Sequence, residues 1–125
     1  MRIILARHGE TDYNKNKMVQ GHTDIPLNEE GIRQGVAAGK KIESYDIDIA
    51  YSSVLSRAYD TARYMLDNSN SEDNKKLEVI KDKRLIEKSY GGYEGVSFAE
   101  YGAGMKAGET RGMELDTEAA DRVEA

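Results

Sequence analysis

Ile3-Ile4-Leu5-Ala6-Arg7-His8-Gly9-Glu10-Thr11 is the stretch on which the fold turns. Its apolar run is too short for a helix and rich in β-branched side chains, so it reads as a buried first strand over residues 2–7. Arg7 and His8 then stand where a strand passes into a loop, the place where ligands gather in α/β folds. Gly9 is expected to let the backbone turn and to leave room for a ligand beside the imidazole. A guanidinium fork matches phosphate oxygens. An imidazole serves as nucleophile or acid–base group near neutral pH. Alone, Arg-His-Gly is equally compatible with a surface Arg and a hydrogen-bonded His at a strand end.

Working outward, strand and helix alternate. Asn28 is an N-cap, Glu29 and Glu30 suit a first turn, and a helix runs to about Ser44 with Ile32, Val36, Gly39 and Ile42 near one face. Asp46 to Tyr51 reads as a second strand. Residues 55–67 form a second helix with Leu55, Ala58, Ala62, Met65 and Leu66 inward. Asp67 to Lys76 is polar and reads as a solvated loop, and Leu77 to Ile80 as a third strand. Gly91 to Gly112 reads as a mobile loop broken by a short helical piece. Such alternation favours an α/β fold with a mainly parallel sheet in one domain over residues 1–125.

Composition narrows the function. The 125 residues carry a net charge of −5, which argues against a general nucleic-acid or anionic-membrane binder. There is no Cys, hence no disulfide or thiolate chemistry. The apolar run at residues 3–6 is too short for a secretory core, and a cytoplasmic setting is expected. No Cys/His zinc cluster and no Walker-type loop occur, so neither metal nor cofactor is expected.

Past Arg7-His8-Gly9-Glu10-Thr11 come Asn14, Gln20-Gly21, Thr23-Asp24-Ile25-Pro26-Leu27, Gly31 and Gln34. Then follow Ser52-Ser53-Val54-Leu55-Ser56-Arg57-Ala58 and Thr61-Ala62. From Met1 to about Gly95 this pattern resembles the histidine phosphatase superfamily, which includes the cofactor-dependent phosphoglycerate mutases and many small phosphatases. The resemblance implies a three-layer α/β/α fold. It makes His8 the nucleophile that forms a phosphohistidine, and Arg7, Asn14 and Arg57 phosphate-pocket residues. A cation near a helix start is unfavourable unless an anion is shared with the backbone N–H groups, which also suits a phosphate at Arg57. The segment Leu85-Ile86-Glu87 with Gly91, Glu94 and Gly95 resembles the family's Leu-x-Glu stretch, which makes Glu87 the candidate general acid. Glu10 reads as structural.

The family also uses a second His, in a Ser/Ala-His-Gly motif on a later strand. The other His here is His22, in the loop after the first strand, where a solvated side chain is expected. Met113 to Ala125 resembles the acidic opening of the helix that precedes that later strand. The chain therefore reads as an N-terminal portion lacking the C-terminal strands, and slow activity is expected of it alone. A gap beside Ile3, Ile4 and Leu5 would leave costly unpaired backbone groups. Three resolutions are open: direct pairing of the first and second strands, a partner chain at the edge, or a separate segment. Self-association through the open edge is favoured.

The reaction implied is phosphatase action on a small phosphorylated metabolite. Mutases of this family carry Arg-His-Tyr after the Glu, whereas here Glu87 is followed by Lys88-Ser89-Tyr90. A mutase, or a catalytically impaired fragment that binds phospho-ligands or proteins, are the alternatives.

Overall fold

The computed structural model describes residues 1–124, with side chains through Arg122. In chain order the helices are α1 (Asp12–Lys15), α2 (Glu29–Ile42), α3 (Ser56–Asp67), α4 (Glu72–Lys76), α5 (Phe98–Lys106) and α6 (Asp116–Glu124). The strands are β1 (Ala50–Ser52) and β2 (Val79–Lys81). The architecture is α/β. β1 and β2 pair in parallel, with Ala50 opposite Val79 and Ser52 opposite Lys81. Ile42, Met65, Leu66 and Val79 form the buried core that joins α2, α3 and β2.

α2 begins where the sequence indicates, with the Asn28 side chain accepting the Gly31 N–H. Its buried face agrees with expectation at Gly39 and Ile42 and differs elsewhere. Gly31, Gly35, Gly39 and Ile42 are buried, while Ile32 and Val36 are only partly covered. The glycines let the helix backbone approach its neighbours closely. A Cβ on Gly39 would stand 2.5 Å from the Met65 carbonyl oxygen, and one on Gly35 would stand 3.0 Å from Cβ of Tyr64, both on α3. Hydrophobicity is a poor guide to a face that is buried because it is small.

Residues 2–7 do not form the expected first strand. They carry no strand pairing among the described residues, and Ile3, Ile4 and Leu5 are 71%, 45% and 91% exposed. A strand is a relation between two segments, and β1 pairs with β2 rather than with this one. Direct pairing of the first and second expected strands is therefore overturned.

The stretch 67–76 is not simply a solvated loop. It contains α4, capped by Ser71, and Asn74 there is fully buried. The Asn74 amide donates to the Tyr45 carbonyl at 3.2 Å and accepts the Ile47 N–H at 3.4 Å, tying α4 to the approach to β1. Arg63 adds a second tie, donating to the carbonyls of Leu77 at 2.7 Å and Lys75 at 3.1 Å. α5 is the short helical piece expected within the Gly-rich stretch. α6 occupies the acidic segment expected to be helical, of which Ala125 lies outside the described residues.

Candidate active site

The segment carrying Arg7 and His8 is held from both sides by backbone contact. Gly9 donates its N–H to Thr61 Oγ1 on α3 at 2.9 Å. On the other side it meets α2, where a Cβ on Gly9 would stand 2.4 Å from the Gly31 carbonyl oxygen. Gly9 has no positive φ, so its glycine is required by this close approach and not by the expected sharp turn. Glu10 is structural: its N–H goes to Gln34 Oε1 at 2.9 Å, and its carboxylate accepts from Asn28 at 3.0 Å.

Thr11 then starts α1 with a reciprocal cap. Its hydroxyl accepts the Asn14 N–H, while Asn14 Oδ1 accepts the Thr11 N–H at 3.0 Å. Fully buried, the same hydroxyl donates to Gln20 Oε1 at 2.5 Å. Because the Asn14 oxygen is used in the cap, its Nδ2 remains an uncommitted donor among the described residues.

His8 is half-buried, and its Nδ1 lies 2.6 Å from the Gly9 carbonyl oxygen. A carbonyl only accepts, so Nδ1 carries the hydrogen and Nε2 holds the lone pair. Burial lowers the imidazole pKa below its ordinary value, and the positive charges of Arg57 and Arg7 act in the same direction. The Gly9 bond and Glu87 oppose the shift without reversing it.

Arg57 is 1% exposed. It donates to the Thr23 carbonyl at 2.7 Å and to the Gly21 carbonyl at 2.6 Å, which fixes the plane of its fork. The conflict between this cation and the start of α3 is resolved by the protein itself: Asp24 Oδ1 accepts both the N–H and the hydroxyl of Ser56 at 2.8 Å. These two bonds hold the Asp24 carboxylate below its ordinary range. A bound anion is thus not needed to justify Arg57 at this position.

The loop at 20–24 is also gripped by Glu94. Its Oε1 accepts from the Thr23 N–H at 2.7 Å and hydroxyl at 2.5 Å, and its Oε2 from the Tyr90 N–H at 3.0 Å. Burial pushes the Glu94 pKa up, but these donors outweigh it and hold the carboxyl below its ordinary value. Gly21 has φ +57°, and a Cβ there would meet Glu94 Oε2 at 2.6 Å, so glycine is required on both counts.

Arg7, His8, Asn14, Arg57 and Glu87, the five residues singled out in the sequence, line one cavity of about 320 Å³. The remaining lining was not anticipated as part of the site: Met18, Val19, Gln20, Gly21, Tyr90, Phe98 and Tyr101. A signal for the α5 contribution exists in Ser97-Phe98-Ala99-Glu100. This is a capping-box pattern that starts a helix and puts Phe98 and Tyr101 three residues apart on one side. His22 is not part of the lining. It is exposed, with Nε2 3.9 Å from Glu114 Oε2. No group of three or more metal-ligating side chains occurs among the described residues.

The sequence model of the histidine phosphatase superfamily (branch 1) matches residues 3–122. The chain belongs to that superfamily. Among curated relatives of this histidine phosphatase, the 2,3-bisphosphoglycerate-dependent phosphoglycerate mutase of Treponema denticola is 41% identical over 102 residues, covering 80% of this chain and 40% of the relative. That of Streptococcus mutans is 41% identical over 102 residues, covering 80% of this chain and 43% of the relative. Histidine phosphatase structures agree. A mycobacterial glucosyl-3-phosphoglycerate phosphatase complexed with VO3 superposes with a TM-score of 0.79 at 32% identity, over 93% of this chain and 60% of that one. Phosphoglycerate mutase from Bacillus anthracis superposes with a TM-score of 0.72 at 33% identity, over 82% and 45%. The fold is phosphoglycerate mutase-like, and the chain spans about two fifths of the length of the curated relatives it matches. No described helix is long and apolar enough to cross a membrane.

Proposed function

We propose that this histidine phosphatase is a phosphoric monoester hydrolase that acts on a small phosphorylated metabolite in the cytoplasm through a phosphohistidine on His8. One observation carries the reading. The Nδ1–H bond to Gly9 leaves the Nε2 lone pair of a neutral imidazole in a cavity shared with Arg7, Arg57, Asn14 and Glu87. In the first step Nε2 attacks phosphorus, the bond from phosphorus to the ester oxygen breaks, and Glu87 gives its proton to the leaving oxygen. In the second, water attacks the phosphohistidine, Glu87 takes a proton from it, and phosphate leaves with the Nε2 lone pair restored. Arg7, Arg57 and the Asn14 amide meet the charge on the transferring group. The existence of a complex of the mycobacterial relative with VO3 supports an oxyanion as a ligand of this chain.

Lys88-Ser89-Tyr90 after Glu87 supports hydrolysis over transfer. Lys88 Nζ is engaged by Asp116 at 2.5 Å and is not part of the cavity lining. Mutase action is the second reading, favoured by the names of the relatives at 41% identity. Two incubations separate them: free phosphate from an uncharged ester such as phenyl phosphate marks hydrolysis, and 2-phosphoglycerate from 3-phosphoglycerate marks transfer. Mass spectrometry after incubation with substrate should find an acid-labile phosphoryl group on His8, and His8→Ala should release no phosphate. Undiminished turnover by His8→Ala refutes the proposal. Arg57→Ala should weaken phosphate binding by more than about tenfold, the loss of a charge-assisted hydrogen bond.

A further inference from the structure

We infer that the phosphate ester taken by this site carries an uncharged apolar or aromatic alcohol group, and that Phe98 and Tyr101 set this preference. The inference rests on the phosphate-binding reading of Arg7, His8 and Arg57. It comes from the half of the cavity that this reading leaves unused.

The lining divides by chemistry. One part is polar: Arg7, His8, Asn14, Gln20, Gly21, Arg57 and Glu87. The other is apolar and aromatic: Met18, Val19, Tyr90, Phe98 and Tyr101. The apolar part is one built unit. Val19 donates its N–H to the Val96 carbonyl at 2.9 Å, Gly95 donates to Val19 at 2.8 Å, and Phe98 donates to Lys17 at 2.9 Å. Tyr101 stands edge-on to Tyr90 at 5.5 Å and to Tyr93 at 5.1 Å between ring centroids. Phe98, the first residue of α5, is 49% exposed although it lines the cavity, so it has ring surface left to cover.

Charge accounting excludes the alternative. The lining holds two permanent cations, Arg7 and Arg57, and one carboxylate, Glu87. A phosphoryl group takes up both cations, and Arg57 already donates two of its N–H groups to Gly21 and Thr23. A second anionic group on the substrate, whether carboxylate or phosphate, would find no third permanent cation in the lining, only neutral amide and hydroxyl donors beside Glu87 and the aromatic rings. Lys88 is the next lysine in the chain, and it is ion-paired with Asp116 and lies 5.5 Å from the Tyr90 ring centroid. An unpaired anion against such a wall is disfavoured, whereas an aryl or alkyl group gains area removed from water.

The test is titration calorimetry of the 125-residue chain with inorganic phosphate and three non-hydrolysable phosphonates. These are methylphosphonate, phenylphosphonate and 2-carboxyethylphosphonate. Phenylphosphonate should bind about tenfold tighter than methylphosphonate, the order given by covering roughly 60 Å² of ring, and 2-carboxyethylphosphonate no tighter than methylphosphonate. Phe98→Ala should collapse the ratio of phenyl to methyl affinity, and Phe98→Arg should shift preference toward the carboxyethyl ligand. Phosphate binding with equal affinities for the three phosphonates, or with the carboxyethyl ligand tightest, overturns the inference and leaves the phosphate site standing. Failure of phosphate and of all three phosphonates to bind overturns the phosphate-site reading, and this inference with it.

Discussion

Gly9 donates its backbone N–H to Thr61 Oγ1 at 2.9 Å, and Thr61 passes its own hydrogen to the Arg57 carbonyl at 2.6 Å. His8 and Arg57 are therefore held in one hydrogen-bonded chain that runs through a buried threonine. Thr61→Val keeps the side-chain shape and leaves the Gly9 N–H without its partner. It should cost about 1–3 kcal/mol of stability, the penalty for a buried donor left unmade, measured by urea unfolding. Stability equal to that of the unaltered chain would show that the bond does not hold the loop.

Gly31→Ala tests the contact between the His8 segment and α2. In an ordinary helix interior this change is stabilising, by up to ~1 kcal/mol. Here the added Cβ would stand 2.1 Å from the Glu10 carbonyl oxygen. The backbone must shift, and a loss of about 1–3 kcal/mol is expected, as for other overpacked sites. The sign decides: a rise in melting temperature would mean that the segment is not seated on α2.

The His8 pKa lies below the ordinary 6.5, mainly through burial. The folded chain thus takes up this proton less readily than the unfolded chain. The stability linked to His8 is fully present above pH 6.5 and is lost as pH falls through the folded pKa. The acid limb of phosphohydrolase activity should follow the folded value, since the proposed nucleophile is the neutral ring. Saturating phosphate should raise the His8 pKa by favouring the imidazolium. Imidazole NMR titration of the chain, with the signal assigned by loss in His8→Asn, reads all of this. A His8 midpoint above 6.5 without phosphate would contradict the burial argument.

Ile3 and Leu5 remain 71% and 91% exposed on a segment without strand pairing. An unpaired segment of this kind is a template for association. Light scattering should show a concentration-dependent oligomer of the isolated chain, and Leu5→Lys should lower the oligomeric fraction. A cooperatively melting monomer at every concentration would count against association.

The parts legible in the sequence were those written in local chemistry. Asn28 before Glu29-Glu30 marks the start of α2, and the motif residues Arg7, His8, Asn14, Arg57 and Glu87 line one cavity. What failed depends on relations that no single segment carries. The run Ile3-Ile4-Leu5 has the composition of a buried strand, but becoming one requires a neighbour. The α2 face is legible at Gly39 and Ile42 but not at Gly31 and Gly35, which are buried for their lack of side chain, whereas Ile32 and Val36 draw attention by hydrophobicity. α4 is five residues long and entirely polar, and the fully buried Asn74 reveals it as structural. The aromatic wall was hidden inside a glycine-rich stretch whose capping pattern at Ser97 was outweighed by its glycines.

The ladder that joins Val19 to Gly95 and Val96 has an evolutionary consequence. The reactive end of the cavity hangs on α2 and α3 through Gly31 and Thr61, while the aromatic end hangs on this separate ladder and on α5. The two suspensions meet at the cavity, through the Glu94 grip on Thr23, and through the bonds from Thr11 to Gln20 and from Arg57 to Gly21. On the proposed reading, substitutions at positions 98 and 101 would exchange one leaving group for another while His8 keeps its place, so that chemistry and selectivity would be inherited on different pieces of backbone.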